Sequence, residues 1–341
     1  MAVFGGNSMT ITTGANFIPE MWSDETIAAY KQQLVLGNLV TKIPFKGKKG
    51  DTLHIPVPAR GSASAKAANT IVTLVTDTAG VVDVVINKHY EYSYVFDDIA
   101  EVQGLSSMRK FYTDAAAYGL AQRIDRDLHL LGATFNGGTI TATGTTSYEK
   151  AVIGGDGSTL FSGATPGNGT ALTDAGIRRV IQTLEDSDVN SSELKFVIPP
   201  VEARVLRGIA RFTEQAFIGN GDVIKTGRLG NLYGVEVFQS TNCPWIHVDS
   251  GTSTQAVTFS STDFTTGVDE LGMTVTVSGS ITKYRACMML HKDAMAHAEQ
   301  MGIRTQAQYK QEYLGTLVTA DTIYGVKELR DYAALSVIVP A

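Results

Sequence analysis

The stretch from Val82 to Phe96 constrains this chain most. Val82, Val84, Ile86, Tyr90, Tyr92, Tyr94 and Phe96 fall on one face of a two-residue period that only Lys88 interrupts, and this alternation predicts a single extended strand. Fifteen residues at roughly 3.3 Å each reach about 50 Å, whereas strands that serve one globular core usually stop at about ten residues. The strand is therefore expected to project beyond its own core. Leu53, Ile55 and Val57, alternating with Thr52, His54 and Pro56, predict its antiparallel partner, and the tip from Arg60 to Thr70 holds no large apolar group. An isolated two-stranded ribbon is marginal in water, so the surface that receives it is expected to belong to another copy of the chain.

Composition agrees with a protein that hides much of its surface. Charged residues make up 18% of the chain, against roughly 25% in typical soluble domains. The net charge of −6 argues against a dedicated nucleic-acid binder, whose phosphate contacts need clustered Lys and Arg. No segment approaches the roughly 20 continuous apolar residues of a membrane span, and Met1 to Asn16 has neither a basic start nor an apolar run, so the chain is expected to stay in the cytosol where it is made. Cys243 and Cys287 are the only cysteines; neither stands in a metal-like pair, which predicts two free, buried thiols.

Met1 to Pro19 is polar and without period and reads as an arm. A short helix is expected next, capped by Ser23, with Thr26, Ile27, Tyr30 and Leu34 inside and Gly37 closing it. Lys42, Lys46, Lys48 and Lys49 form a basic cluster before the hairpin: a solvated turn, or a contact with an acidic neighbour or with nucleic acid. A helix of about 45 Å is predicted over Ser106 to Phe135, on a drifting stripe of Met108, Phe111, Ala115, Leu120, Ile124, Leu128 and Leu131. Arg123 and Asp127, four apart, are expected to pair at its surface. Asn136 to Gly169 reads as an exposed glycine- and threonine-rich insertion.

From Thr173 a capped amphipathic helix carries Ile177, Val180, Ile181 and Leu184. A strand at Leu194 to Ile198, a helix with Val205, Leu206, Ile209 and Phe212, a loop over Thr213 to Gly227, and a strand at Val235 to Gln239 follow. Together they predict a small α+β domain. Threonine-rich strands with Met273, Val275 and Val277, the apolar Ala286 to Leu290, and a buried strand with Leu335, Val337 and Val339 close the chain.

No catalytic constellation stands out. His291 and His297 lie six apart, not on one helical face, and no His-Glu-x-x-His run occurs. Gly154-Gly-Asp-Gly157 and Gly219-Asn-Gly-Asp222 do not continue as phosphate loops and read as tight turns. Asp97/Asp98 and Asp125/Asp127 read as helix caps and solvated faces. Asp156, Asp186 and Asp188 fit no calcium-loop spacing. The reading is a chain that is not an enzyme, with no cofactor and no metal site.

The order of arm, extended hairpin, long helix and α+β domain resembles the major capsid proteins of tailed bacteriophages, which share the HK97-like fold. Phe17-Ile-Pro-Glu-Met-Trp22 and Leu34-Val-Leu-Gly-Asn-Leu-Val40, leading to Gly47-Lys-Lys-Gly-Asp-Thr-Leu-His-Ile-Pro56, are similar to podovirus-type capsid sequences. Gly230-Asn-Leu-Tyr-Gly-Val-Glu-Val-Phe238 with Ser240-Thr-Asn242 resembles the strand entry of their axial domain. Leu314-Gly-Thr316 and Ile323-Tyr-Gly-Val326 through Leu335 resemble their C-terminal pattern. The resemblance implies an N-terminal arm over 1–46, an extended loop over 47–96, and a peripheral domain over 97–170 with a spine helix and an insertion. It further implies an axial domain over 171–252, a return to the peripheral domain over 253–314, and C-terminal strands over 315–341.

What such a fold implies is a shell subunit, a homo-oligomer of hexamers and pentamers in an icosahedral capsid around double-stranded DNA, assembled in the host cytoplasm and lodged in the virion. Starting at Met1 without an acidic helical extension, the chain is expected to use a separate scaffolding protein, together with a portal and in some members a decoration protein. An encapsulin-like compartment and a ring-forming tail protein are the alternatives. The residues expected at subunit interfaces are Trp22, Tyr90, Tyr92 and Phe96 as packing groups and Arg60 and Lys66 as polar contacts of the loop tip, all without chemistry.

Overall fold

A computed structural model describes residues 34–44, 50–57, 63, 65–72, 80–98, 108–134, 153–158, 161, 169–209, 230–249, 256–260, 263, 267–268, 274–275 and 281–341. Two larger sheets and one long helix organise them. The first sheet has four strands in the order Thr41–Pro44, Met295–Lys310, Gly315–Glu328 and Lys88–Asp97. Its first pair is parallel and the others antiparallel, with Tyr94 opposite Val318 and Tyr90 opposite Thr322.

The second sheet is built around Ile281–Leu290, which pairs along one edge with Ala334–Pro340. Its other edge pairs first with Trp245–Asp249 and then with Lys195–Ile198. Val235–Gln239 extends this sheet in parallel with Lys195–Ile198, and Ala256–Ser260 extends the far end. Strand pairing thus places 256–260, 281–290 and 334–340 in one sheet with 195–198 and 235–239, whereas 295–310 and 315–328 join the sheet of the aromatic row.

The predicted fifteen-residue strand is two strands. Gly80–Val85 pairs with Thr52–Val57 as a separate hairpin, and Lys88–Asp97 pairs with Gly315–Glu328. The chain changes partners at Ile86–Asn87, where the Ile86 amide donates to the Asp51 carbonyl. Alternation survives the change, since Val84 and Ile86 are buried with Ala298 and pack on Ile43, Leu53, Ile55 and Ile323. The base of the hairpin is therefore received by the chain's own sheet, contrary to the expectation that another copy must supply that surface. Contact is close because residue 325 is glycine: a Cβ there would stand 2.4 Å from the Val85 carbonyl oxygen.

The long helix, Met108–Leu131, continues as one 3₁₀ turn to Thr134. Its 24 residues span about 36 Å, enough to cross both sheets. Ala116 and Leu120 pack with Ala320, Tyr90 and Tyr94 on the first sheet, while Leu128 is fully buried against Val197, Met288 and Leu290 of the second. Full burial of a leucine such as Leu120 or Leu128 contributes about 1.5–3 kcal/mol. Gly37 does not close a helix here; it lies inside the single turn Leu36–Leu39, whose Leu36 is buried in the same cluster.

On the opposite face of the second sheet lie two helices. Asp174–Asp186 begins at Thr173, whose side-chain oxygen accepts from the Gly176 amide, and buries Ile177, Val180, Ile181 and Leu184 as its spacing predicts. Pro200–Arg207 has Pro200 at its first turn, where a missing N–H costs nothing, and it ends before Phe212, which lies outside the described residues.

The turn at Gly154–Gly157 is tight, with the Gly157 amide donating to the Gly154 carbonyl. It abuts the helix start so closely that a Cβ on Gly176 would fall 2.0 Å from the Gly155 carbonyl oxygen. Most described residues of the expected exposed insertion are buried instead, Ser158 being exposed. Ile153–Gly154 pairs with Val337–Ile338, and Phe161 packs edge-on against Tyr284 at 5.2 Å. The remainder of 136–169 lies largely outside the described residues.

Glu202 is 1% exposed, and its carboxylate accepts from the Leu172 amide at 2.8 Å. Burial raises its pKa above the ordinary carboxylate value. A raised acid in the folded state means that the charged form is penalised there, so stability falls as pH rises through that window. Glu202→Gln keeps an acceptor oxygen for Leu172 and removes the charge. Its urea midpoint at neutral pH should equal or exceed that of the parent; a lower midpoint would show that the fold needs the charge.

Candidate functional site

The aromatic row and the polar seam beneath it form the most elaborated region of the described residues. Tyr90, Tyr94 and Phe96 turn toward the long helix because even-numbered positions of this strand share one face. The Tyr90 hydroxyl accepts from Arg123 Nη2 at 2.8 Å, and the guanidinium carbon lies 4.3 Å from the same ring. Tyr94 meets the Thr113 hydroxyl at 3.1 Å. Tyr92, Tyr94, Phe96 and Tyr112 then form a continuous ring cluster, with Tyr94 and Phe96 centroids 4.9 Å apart in an edge arrangement. Such pairs add about 0.5–1.5 kcal/mol beyond area burial.

Lys88, the one break in the apolar row, has a partner that explains it. Its ammonium donates to Asp127 Oδ2 at 2.7 Å, and the Tyr324 hydroxyl donates to the same oxygen at 2.7 Å. Arg123 Nε lies 3.6 Å from the other oxygen. The predicted Arg123–Asp127 pair therefore exists, but in the interior: Asp127 is 5% exposed. Burial, then the adjacent Asp127 charge, raises the Tyr324 pKa far above its ordinary value, so this hydroxyl stays a donor.

Asp125 forms a second node two residues earlier. Oδ1 accepts from the amides of Val35 and Gly37 at 3.1 and 3.3 Å, and Oδ2 accepts from Asn242 Nδ2 at 2.7 Å. His129 Nδ1 contacts the Asp125 carbonyl at 2.7 Å and lies 3.3 Å from Oδ2. Burial lowers the His129 pKa, with Asp125 opposing that shift. One carboxylate thus joins the 34–37 segment, the long helix and the 240–243 turn of the second sheet. The expectation of solvated faces for Asp125 and Asp127 fails because the helix is covered on two sides.

The open face of the first sheet carries a different set. Arg304 Nε and Nη2 donate to the two oxygens of Asp321 at 2.8 and 3.0 Å, with His89 Nε2 at 3.3 Å. The Arg304 hydrogen bonds hold the Asp321 pKa below its ordinary value. Apolar side chains cluster at the far end of this sheet, where Val95, Tyr309, Tyr313 and Leu314 are exposed. At the hairpin tip Lys66 is exposed beside a turn closed by Thr70 Oγ1 donating to the Ala67 carbonyl at 2.7 Å. Ile71, just past the stretch read as free of large apolar groups, is 94% exposed.

The residues expected at interfaces therefore separate. Tyr90 and Phe96 are half-buried against the chain's own helix side, Tyr92 is 43% exposed, and Lys66 lies at the tip. Trp22 and Arg60 lie outside the described residues. Sequence reading missed Asp125, Asn242, His129 and Tyr324; the usable signal was charge on an apolar helical stripe, with Asp125 and His129 four apart beside Ile124 and Leu128. Cys243 and Cys287 are free and buried as expected, and burial pushes the Cys243 thiol up to about 12. Among the described residues no group of three or more His, Cys, Asp or Glu is placed to hold a metal ion.

No family model and no curated protein matches this chain. Among solved structures it is similar to one from Mycobacterium phage Che8, at 21% identity and TM-score 0.66 over 94% of this chain and 97% of the other. It is also similar to the capsid structure of cyanophage P-SCSP1u, at 15% identity and TM-score 0.67 over 99% of both chains. The acid-stable capsid structure of Helicobacter pylori bacteriophage KHP30 matches at 12% identity and TM-score 0.66 over 100% of both. The chain has the α+β, HK97-like fold of these phage structures along essentially its whole length.

Proposed function

We propose that this chain is the shell-forming subunit of a tailed-phage capsid, a non-catalytic protein that assembles as hexamers and pentamers into an icosahedral particle around double-stranded DNA. The observation that carries the reading is the end-to-end correspondence with the capsid structures of cyanophage P-SCSP1u and bacteriophage KHP30, 99% or more of both chains in each. Its work is association. Each copy offers apolar groups without cover in the chain, Ile71 and Val72 at the hairpin and Tyr313 and Leu314 at the sheet end, and contacts of this kind add about 25 cal/mol per Å² buried. In a closed shell, heterologous contacts of this type must close into rings of five or six.

On this reading the partners are further copies of the chain, a separate scaffolding protein and a portal, with DNA touched through its backbone and not by sequence. Residues 1–46 act as the arm and 47–96 as the extended loop, anchored at its base in the chain's own sheet and reaching the next copy with its tip, with Trp22, Arg60, Lys66 and Tyr92 at contacts and Tyr90 and Phe96 holding the strand that supports them. The test is negative-stain microscopy of the purified chain, alone and with a candidate scaffold. Uniform closed shells are expected; tubes, stacked rings or small oligomers under both conditions would refute the capsid role, and shells filled with protein cargo would point to a compartment. Deleting Arg60 to Thr70 should leave a folded monomer that no longer forms shells, and normal shells from that variant would remove the loop from the mechanism.

A further inference from the structure

Residues 34–44 are anchored differently at their two ends, the first by core burial of Val35, Leu36 and Val40 and the second by an edge strand. Their first turn is tied to the long helix through Asp125, and Thr41–Pro44 forms a four-residue strand whose one sheet neighbour among the described residues is Met295–Lys310. In that pairing Lys42 stands directly opposite His297. His297 is 7% exposed, and its Nε2 has no hydrogen-bond partner. Beneath the segment lies a cavity of about 210 Å³, lined by Leu34, Lys42, Ile124, Asp125, His297 and Glu299 among others. Its rim residues Asn38 and Lys42 are exposed while Asp125 and His297 form buried wall. A space of this size admits water, which gives a proton a route to the ring without unfolding the chain.

We propose that Thr41–Pro44 forms a strap that lifts from the sheet edge in mild acid, driven by the charge that His297 gains directly opposite Lys42, while Val35, Leu36 and Val40 stay in the core. Like charges opposed across a strand pair destabilise that pair, and here the pair is four residues long, held besides by Thr41 Oγ1, 3.1 Å from both the Lys292 carbonyl and Asp293 Oδ1, and by Ile43 in the Val84 and Ile86 cluster. Every charged or titratable group facing His297 enters the balance. Lys42 on the strap repels the imidazolium. Glu299 on the same strand attracts it, but stays beside His297 whether the strap is closed or open and so does not hold the strap down. The Tyr324 ring, 5.6 Å away on the next strand, keeps its hydroxyl on Asp127. Asp125 on the helix is occupied by Val35, Gly37 and Asn242 and lies beside His129.

The sign follows from burial, which lowers the His297 pKa in the closed state below its ordinary value of 6.5. The closed strap is favoured above that value, and the preference fades as pH falls below it.

The test is amide hydrogen exchange of the full chain at about pH 7.5 and about pH 5.5, with rates corrected for intrinsic chemistry, comparing the amides of 41–43 with those of 281–290. Corrected exchange in 41–43 should rise several-fold in acid while the central strand stays unchanged. His297→Gln, neutral at every pH, should abolish the rise. Lys42→Met should blunt it, and this variant keeps the question answerable if the first does not fold. Equal exchange at both pH values, a parallel rise in 281–290, or a rise that survives both substitutions would overturn the strap.

Discussion

Asp127→Ala should lower the unfolding free energy by about 3 kcal/mol, at the lower end of what removing one partner of a buried ion pair costs. The variant strands two groups at once: the Tyr324 hydroxyl loses its acceptor in the interior, and Lys88 loses the carboxylate that allows an ammonium to sit in an apolar row. Lys88 is 29% exposed at its side chain, so part of the charge can turn to water, which is why the lower end applies. Urea unfolding followed by tyrosine fluorescence measures it. A loss below about 0.5 kcal/mol, the range of ordinary surface changes, would mean that Asp127 is no anchor. Lys88→Met in the Asp127→Ala background should return part of the loss, because it removes the stranded cation and completes the apolar row.

The Asp125 node supports a sharper experiment. A carboxylate only accepts, so Asn242 must present its amide nitrogen to it. Asp125→Asn keeps one oxygen for Val35 and Gly37 but sets nitrogen against nitrogen at residue 242. Asn242→Asp alone sets two carboxylates against each other. Each single change should cost about 2 kcal/mol, the range for a buried polar group left without its partner. The double swap restores a donor facing an acceptor and should recover about 1 kcal/mol or more in the mutant cycle. Additive losses in the double variant would show that the two residues act separately and that the link between the long helix and the second sheet runs elsewhere.

Local pattern made much of this fold legible. The period of two from Val82 to Phe96 identified the face that carries Val84, Tyr90 and Tyr94, because side chains alternate whatever the strand pairs with. It did not reveal the exchange of partners at Ile86–Asn87, since the new partner, 315–328, is more than two hundred residues away. The capped helix at Thr173 was legible because a cap, a stripe and a length agree within thirteen residues. The seam was not. Asp125 and Asp127 on a helix read as solvent-facing by ordinary propensity, and only a second covering layer, supplied by Leu36, Asn242 and Tyr324 from three remote segments, turns them inward. Lys88 was the visible clue: a charge in an apolar row implies a countercharge, and Asp127 was the residue to look for.

The change of partners at Ile86–Asn87 also bears on how the chain tolerates alteration. Register in the four-stranded sheet is fixed by pairs from Lys88 to Asp97, and register in the hairpin by pairs from Gly80 to Val85, so the two ladders are set independently. The length between Val57 and Gly80 enters neither. Residues added between those two strands would slide no rung of the sheet beneath, so the fold should accept an insertion there even where assembly, which uses the tip, does not.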